Sequence, residues 1–387
     1  MATLTPASAA ALARLRAYKP PPTQYLNVPL ARRAAVLILL FADRRGDLRV
    51  VLTMRAAGMN TYAGHAALPG GRADAATETP FQTARREAWE EIGLPLVDEK
   101  LPPPFRVEHL CQMPANLART ELAVRPCVAF LAADRRSSSP SSPSSSSPAA
   151  AKDDTKDDTK DDTKDDTKDD PKDDDIPTAE DLLIPRLSPH EVAAVFTAPF
   201  RGFLLAEAEQ SASAGEAEAG VEAAGFPAKW YRGQWTDWHE SRWRMHNFYV
   251  PVGGSRAGAG AVTRAAKGVG GRGGDGGAKE EKEGEEEGMP RKKRAKAGAA
   301  ANVVGDVLSD DPPKDAAEER FRVFGMTARI LVDAARVAYD EEPRFEHNSH
   351  FGDEDMIARL LRMGRLSAER KKGDVLTREV LREAAKL

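Results

Sequence analysis

Between Gly70 and Leu94 the chain runs Gly70-Gly71-Arg72-Ala73-Asp74, then Glu78, then Arg86-Glu87-Ala88-Trp89-Glu90-Glu91-Ile92-Gly93-Leu94. This stretch constrains the fold more than any other, because it requires a glycine-rich loop that feeds directly into an amphipathic helix. Glu87, Glu90 and Glu91 stand at i, i+3 and i+4 and share one helical face, while Phe81, Ala84, Ala88 and Ile92 fall on a second face suited to burial. Like charges packed that closely repel, and a helix that needs only solubility alternates Glu with Lys. A bare cluster of carboxylates therefore points to a hard cation such as Mg²⁺ or Mn²⁺. The glycines let the backbone pass close to a phosphate, whose charge the same cation offsets. A solvated acidic face without chemistry is the competing reading of the helix taken alone.

With Glu78 and the block Arg86 to Leu94 at these spacings, the segment resembles the Nudix hydrolases, whose signature places Gly, Glu, Arg-Glu and Glu-Glu at fixed intervals. That signature would put its first Gly at position 72, where this chain has Arg72 and offers Gly71 one residue early. The longer spacing resembles the coenzyme A diphosphatase branch of the family, which carries a second motif just upstream. Val51-Leu52-Thr53-Met54-Arg55-Ala56, Gly64 and Leu68-Pro69-Gly70-Gly71 resemble that motif, with Asn60 in place of an Arg and Leu68 in place of a Phe. Later, Glu191-Val192 and the stretch Val323 to Leu331, with Phe324 in place of a Trp, are also similar to segments of that branch.

The resemblance implies a metal-dependent hydrolase that splits the diphosphate of coenzyme A, or of its acyl or oxidised forms, into 3′,5′-ADP and 4′-phosphopantetheine. It implies that Glu87, Glu90 and Glu91 are metal ligands, with Glu78 helping to fix the loop and its metals. Arg86 becomes an orienting residue, set against an ordinary helix salt bridge to Glu90 at i+4. Gly70 and Gly71 shape the substrate loop, and Arg55 is a candidate phosphate contact. The general base is open between Glu87 and Glu191. Hydrolysis of damaged nucleoside triphosphates or ADP-ribose-like diphosphates is the alternative activity, and a non-catalytic binding module of the same fold is the alternative class.

Of 387 residues, many cannot pack. Residues 136–175 open as a Ser/Pro tract and continue as Lys-Asp-Asp-Thr units; Lys152 to Asp175 holds six Lys and thirteen Asp with no apolar residue, and reads as disordered. That tract carries a net minus seven, so the formal charge of minus four hides a remainder near plus three. A second insert, 253–313, is Gly/Ala-rich, then acidic, then basic. Its Pro290 to Lys296 resembles a nuclear address, but beside a Glu run it reads as a solvated charge block, and no nucleic-acid partner is expected. Cys111 and Cys127 are too few for a disulfide framework and suit a reducing compartment. The longest apolar run, Ala34 to Ala42, is far shorter than the roughly twenty residues that span a bilayer.

The packable parts predict a mixed α/β (α+β) domain, a sheet sandwiched between helices, over residues 32–340, with an N-terminal extension at 1–31 and a C-terminal one at 341–387. Ala34 to Phe41 and Leu48 to Met54 read as a hairpin, and Thr79 and Pro80 as the start of the carboxylate helix. Leu122 to Leu131 reads as a strand that Pro126 confines to an edge or bulge. Ser188 to Val192 reads as a short helix, Arg244 to Val252 as a strand, and Phe321 to Tyr339 as a long helix. Trp230, Trp235, Trp238 and Trp243 are expected to pack over the core, with a lid or base-stacking surface as the alternative. The final Ala385-Lys386-Leu387 resembles the tripeptide read by the peroxisomal import receptor, which makes that receptor the expected partner and the peroxisome the expected location, against a cytoplasmic or nuclear one.

Overall fold

The computed structural model describes residues 4–55, 65–133, 179, 192–207, 230–238, 241–251, 262–264, 320–369 and 376–387. A nearly uninterrupted apolar run makes β1 (Arg33–Ala42), buried along most of its length. The chain turns at Gly46, whose φ of 82° suits a residue without Cβ, and returns as β2 (Leu48–Arg55) with Leu40 opposite Val50. Asp43 Oδ1 fastens that turn by accepting the amides of Arg45 and Asp47, each at 2.9 Å.

Around this hairpin the described residues form a nine-stranded sheet. Its short members are β3 (Ala66–Ala67) on β2, β4 (Gly70–Arg72) on β1 and β6 (Asn116–Leu117) beside β7. β7 (Ala123–Ala133) runs parallel to β1, while β5 (Phe105–Gln112), β8 (Val192–Pro199) and β11 (Val262–Arg264) pair antiparallel with their neighbours, giving the order β11-β8-β2-β1-β7-β5. A second sheet contains β9 (Tyr231–Trp238), β10 (Ser241–Pro251) and β12 (Arg320–Phe324), with β10 in the middle.

Period-two alternation decides what each face of the large sheet meets. Ala35, Leu37, Leu39 and Phe41 point to one side, where Ala84, Ala88 and Ile92 of α2 (Pro80–Ile92) close the core. Ile38 and Leu40 point to the other, under α1 (Pro6–Ala17) and α3 (Gly325–Tyr339). The architecture is thus a mixed sheet between helices. Ala11, Leu12 and Leu15 of α1 are fully buried, so part of the stretch read as an N-terminal extension is core. Toward the other end, α4 (Glu354–Arg362) and α5 (Arg378–Ala385) pack with Tyr25, Val28 and Leu117 in a third cluster. Among the described residues no helix is long and apolar enough to cross a membrane.

Several local readings change. Pro126 does not put its strand at an edge: β7 lies between β1 and the β5/β6 side. Its carbonyl accepts the Met113 amide at 2.8 Å on that side, so its missing N–H faces the gap where β5 ends, opposite Cys127, and before β6 begins, opposite Val124. Phe321 to Phe324 belong to β12 rather than to the helix, because Phe321 and Val323 alternate against β10 and Gly325, at φ 63°, redirects the chain before α3 begins. Val192 opens a strand and not a helix, taking its place opposite Arg55; the rest of the helix expected there lies outside the described residues. So do the two inserts, except that Val262–Arg264 adds an edge strand to β8. Trp230 is buried and donates from Nε1 to the Gly202 carbonyl at 2.8 Å, and Trp235 Nε1 donates to Glu346 at 2.7 Å.

Candidate active site

α2 is fixed at both ends before its side chains do any chemistry. Thr79 and Gln82 form a reciprocal capping box, Pro80 occupies the first turn, and Gly93 ends the helix at φ 69°. The buried stripe Ala84, Ala88 and Ile92 then sets the rotation of the helix on the sheet, and that rotation turns Glu87 and Glu91 toward β4.

Two glycines receive them. Gly70 pairs with Val36 at a φ of 154°, and a Cβ there would overlap the Ala35 carbonyl. Its N–H donates to Glu91 Oε2 at 3.1 Å. A Cβ on Gly71 would overlap the Glu87 carboxylate itself, so side-chain-free backbone is what lets that carboxylate lie against the loop.

Arg86 joins the parts. Its Nε donates to Glu78 Oε1 at 2.8 Å, its Nη2 to the Arg72 carbonyl at 2.7 Å, and its Nη1 to Glu87 at 3.1 Å and Glu90 at 3.2 Å. Asp74 Oδ2 lies 3.4 Å from Nη1. The i+4 salt bridge to Glu90 is therefore present, as one contact among several. Glu78 Oε2 accepts from the Asp74 amide and the Thr83 hydroxyl, both at 3.0 Å, so both of its oxygens are engaged in holding the loop and Arg86. The structure brings Glu78, Arg86, Glu87, Glu90, Glu91, Gly70 and Gly71 into one site. Arg55 stands apart at the end of β2, with Nε buried and lacking a hydrogen-bond partner. Glu191 lies outside the described residues.

Burial pushes the Glu87 carboxyl above its ordinary range, with Arg86 pulling the other way and Glu90 adding to the rise. For Glu78, burial alone would do the same, but hydrogen bonds from Arg86, the Asp74 amide and Thr83 outweigh it and hold the carboxyl low. Arg86 is held protonated far above neutral pH, chiefly by Glu78. The carboxylates are thus not bare: a guanidinium neutralises part of the cluster. Among the described residues no group of three or more His, Cys, Asp or Glu side chains is gathered closely enough to hold a metal. The donor chemistry still fits a hard divalent cation, since Glu87, Glu90 and Glu91 offer only oxygens and Glu90 keeps a third of its side chain exposed.

Asp74, Thr83 and the Arg72 carbonyl were not singled out from sequence. Asp74 lies in the quoted run, yet nothing in its spacing shows that the loop folds back on Arg86.

The family model described as the NUDIX domain matches residues 31–112, a span that includes this strand, glycine loop and helix. Among curated proteins the chain is 43% identical over 127 residues to peroxisomal coenzyme A diphosphatase 1 of Saccharomyces cerevisiae, covering 32% of this chain and 37% of that one. It is 47% identical over 85 residues to the mitochondrial Nudix hydrolase 15 of Arabidopsis thaliana, covering 21% and 30%. With the chloroplastic Nudix hydrolase 22 of the same plant it shares 40% over 110 residues, covering 28% and 33%. The chain spans about a third of the length of these curated relatives.

Proposed function

We propose that the protein is a divalent-cation-dependent diphosphatase that cleaves coenzyme A, or its acyl or oxidised forms, to 3′,5′-ADP and 4′-phosphopantetheine. The observation that carries the reading is the meeting of Glu87 and Glu91 with Gly71 and Gly70, acid against open backbone. Having no side chains of their own, Gly70 and Gly71 let these carboxylates lie against the loop backbone, next to where a diphosphate would sit. The yeast relative's name supports coenzyme A as the substrate.

Hydrolysis of a diphosphate requires that an attacking water be deprotonated while neighbouring negative charges are offset. A hard cation held by Glu87, Glu90 and Glu91 would supply that offset and make water more acidic. Arg86 keeps the acids and the loop in register, and Glu78 in turn holds Arg86. Glu87 and Glu191 are the two candidates for the base. Peroxisomal placement, with Ala385-Lys386-Leu387 as the address and the import receptor as its reader, belongs to the same reading and is supported by the yeast relative's name; the plant relatives' names make mitochondria and chloroplasts the alternatives to separate by imaging.

The test is a panel of coenzyme A, acetyl-coenzyme A, oxidised coenzyme A, ADP-ribose and 8-oxo-dGTP, each with Mg²⁺ or Mn²⁺ and with the products identified. The expected result is 4′-phosphopantetheine from coenzyme A at a far higher kcat/KM than any cleavage of the last two. A preference for ADP-ribose or 8-oxo-dGTP overturns the substrate assignment.

A further inference from the structure

Three basic side chains gather where β2, β3 and β12 meet the start of α3. Arg55 ends β2, and its N–H donates to the His65 carbonyl at 3.0 Å. The His65 ring packs on Phe324 with centroids 4.7 Å apart, and Arg322 lays its guanidinium 4.2 Å from the centroid of the same Phe324 ring. Burial, then the positive charges of Arg322 and Arg55, hold the imidazole below its ordinary pKa. Among the described residues no carboxylate pairs with Arg55 or Arg322, and Arg55 Nε is buried without a hydrogen-bond partner. Beside them α3 starts with no side chain capping its first amides, and the space next to Gly325 is open, since a Cβ there would meet nothing within 4 Å.

Two guanidinium groups near one another that no described carboxylate pairs with are costly, and an anion placed between them removes the cost. Only four residues separate His65 from Gly70, five steps of at most about 17 Å when extended, so the cluster lies within reach of a ligand whose diphosphate sits on the glycine loop. We propose that Arg55, His65 and Arg322, with the ring of Phe324, form a subsite for a terminal phosphate of the substrate, distinct from the diphosphate cleaved beside α2. A phosphomonoester fits better than a phosphate inside a diester chain, because at neutral pH it carries close to two charges and three acceptor oxygens, which suit two guanidinium groups. The subsite deepens the diphosphatase reading and rests on it: it makes the enzyme prefer a nucleotide diphosphate that bears a further phosphate over one that lacks it.

The test compares 3′,5′-ADP with 5′-AMP, which differ only in the 3′-phosphate, by calorimetric binding to the full chain. The wild type should bind 3′,5′-ADP about tenfold or more tightly than 5′-AMP, the effect of one charge-assisted hydrogen bond or more. Arg322→Ala, at an exposed position, should bring the two ligands to equal affinity without moving the thermal midpoint, and Arg322→Lys should restore part of the difference. In hydrolysis, Arg322→Ala should raise KM for coenzyme A at constant kcat and leave dephospho-coenzyme A unaffected. Equal binding of the two ligands by the wild type, or a preference that survives Arg322→Ala, overturns the subsite. If the preference for 3′,5′-ADP holds while neither coenzyme is cleaved, the diphosphatase reading falls and the subsite stands. If coenzyme A is cleaved but the preference is absent, the subsite falls and the reading stands.

Discussion

Arg86 Nε donates to Glu78 Oε1 across 2.8 Å and so ties the second turn of α2 to the loop that precedes it. Because each member of this pair also holds other parts of the loop, the two act as a unit. Arg86→Ala and Glu78→Gln should each lower kcat/KM by about tenfold or more, while the double variant should cost little beyond the worse single one, as coupled residues do. Steady-state kinetics on the four proteins of that cycle provide the check; fully additive losses would show that the contact is incidental.

The two glycines should separate stability from turnover. Gly70→Ala forces a Cβ against the Ala35 carbonyl at a φ of 154°, so the thermal midpoint should fall clearly. Gly71→Ala drives its Cβ into the Glu87 carboxylate, which can swing away, so the main loss should be in kcat with a smaller change in melting. Parallel melting curves and rates on both variants distinguish the two effects.

α1 offers a test of packing. Leu12 is fully buried against the sheet, and Leu12→Ala should cost about 2–5 kcal/mol of unfolding free energy, the usual range for a large-to-small change in a core. A change below about 0.5 kcal/mol in denaturant titration, the size expected of a surface site, would contradict the placement of α1 in the core.

Asp333 sets a pH dependence of stability. Burial raises its pKa from 3.8 to about 7; Arg329, Arg336 and the Gly352 amide oppose that rise, and Asp353 adds to it. The folded state therefore binds the proton more tightly than the unfolded chain does. The resulting stabilisation is fully present below the unfolded pKa and is lost as pH rises toward about 7. Asp333→Asn should lack this decline, so its thermal midpoint should gain on the wild type between about pH 4 and pH 7. Parallel curves over that window would contradict it.

Local pattern carried the central elements into view. The apolar run of β1, the turn at Gly46, the Thr79-Pro80 start and the face of Glu87, Glu90 and Glu91 all depend on neighbours within a few residues, where periodicity and capping operate. What stayed hidden depends on contacts distant in sequence. Pro126 argues locally for an edge, yet its place is decided by where β5 hands over to β6. The Arg86 hub could be guessed only as far as its i+4 partner, because the Arg72 carbonyl and Asp74 reach it through the path of a loop. Arg322 and Phe324 meet His65 only because β12 comes to lie near β3.

The account stands or falls on the charges of α2. In Glu90→Gln and Glu91→Gln the amide keeps an oxygen, so Glu91→Gln can still accept the Gly70 N–H, and only the negative charge is removed. Turnover of coenzyme A, measured with Mg²⁺ and Mn²⁺ alongside circular-dichroism melting, should fall by about a hundredfold or more in each variant with the melting midpoint unchanged. Near-normal rates in both variants, with the same metal dependence as the wild type, would contradict the assignment of this helix as the site of hydrolysis.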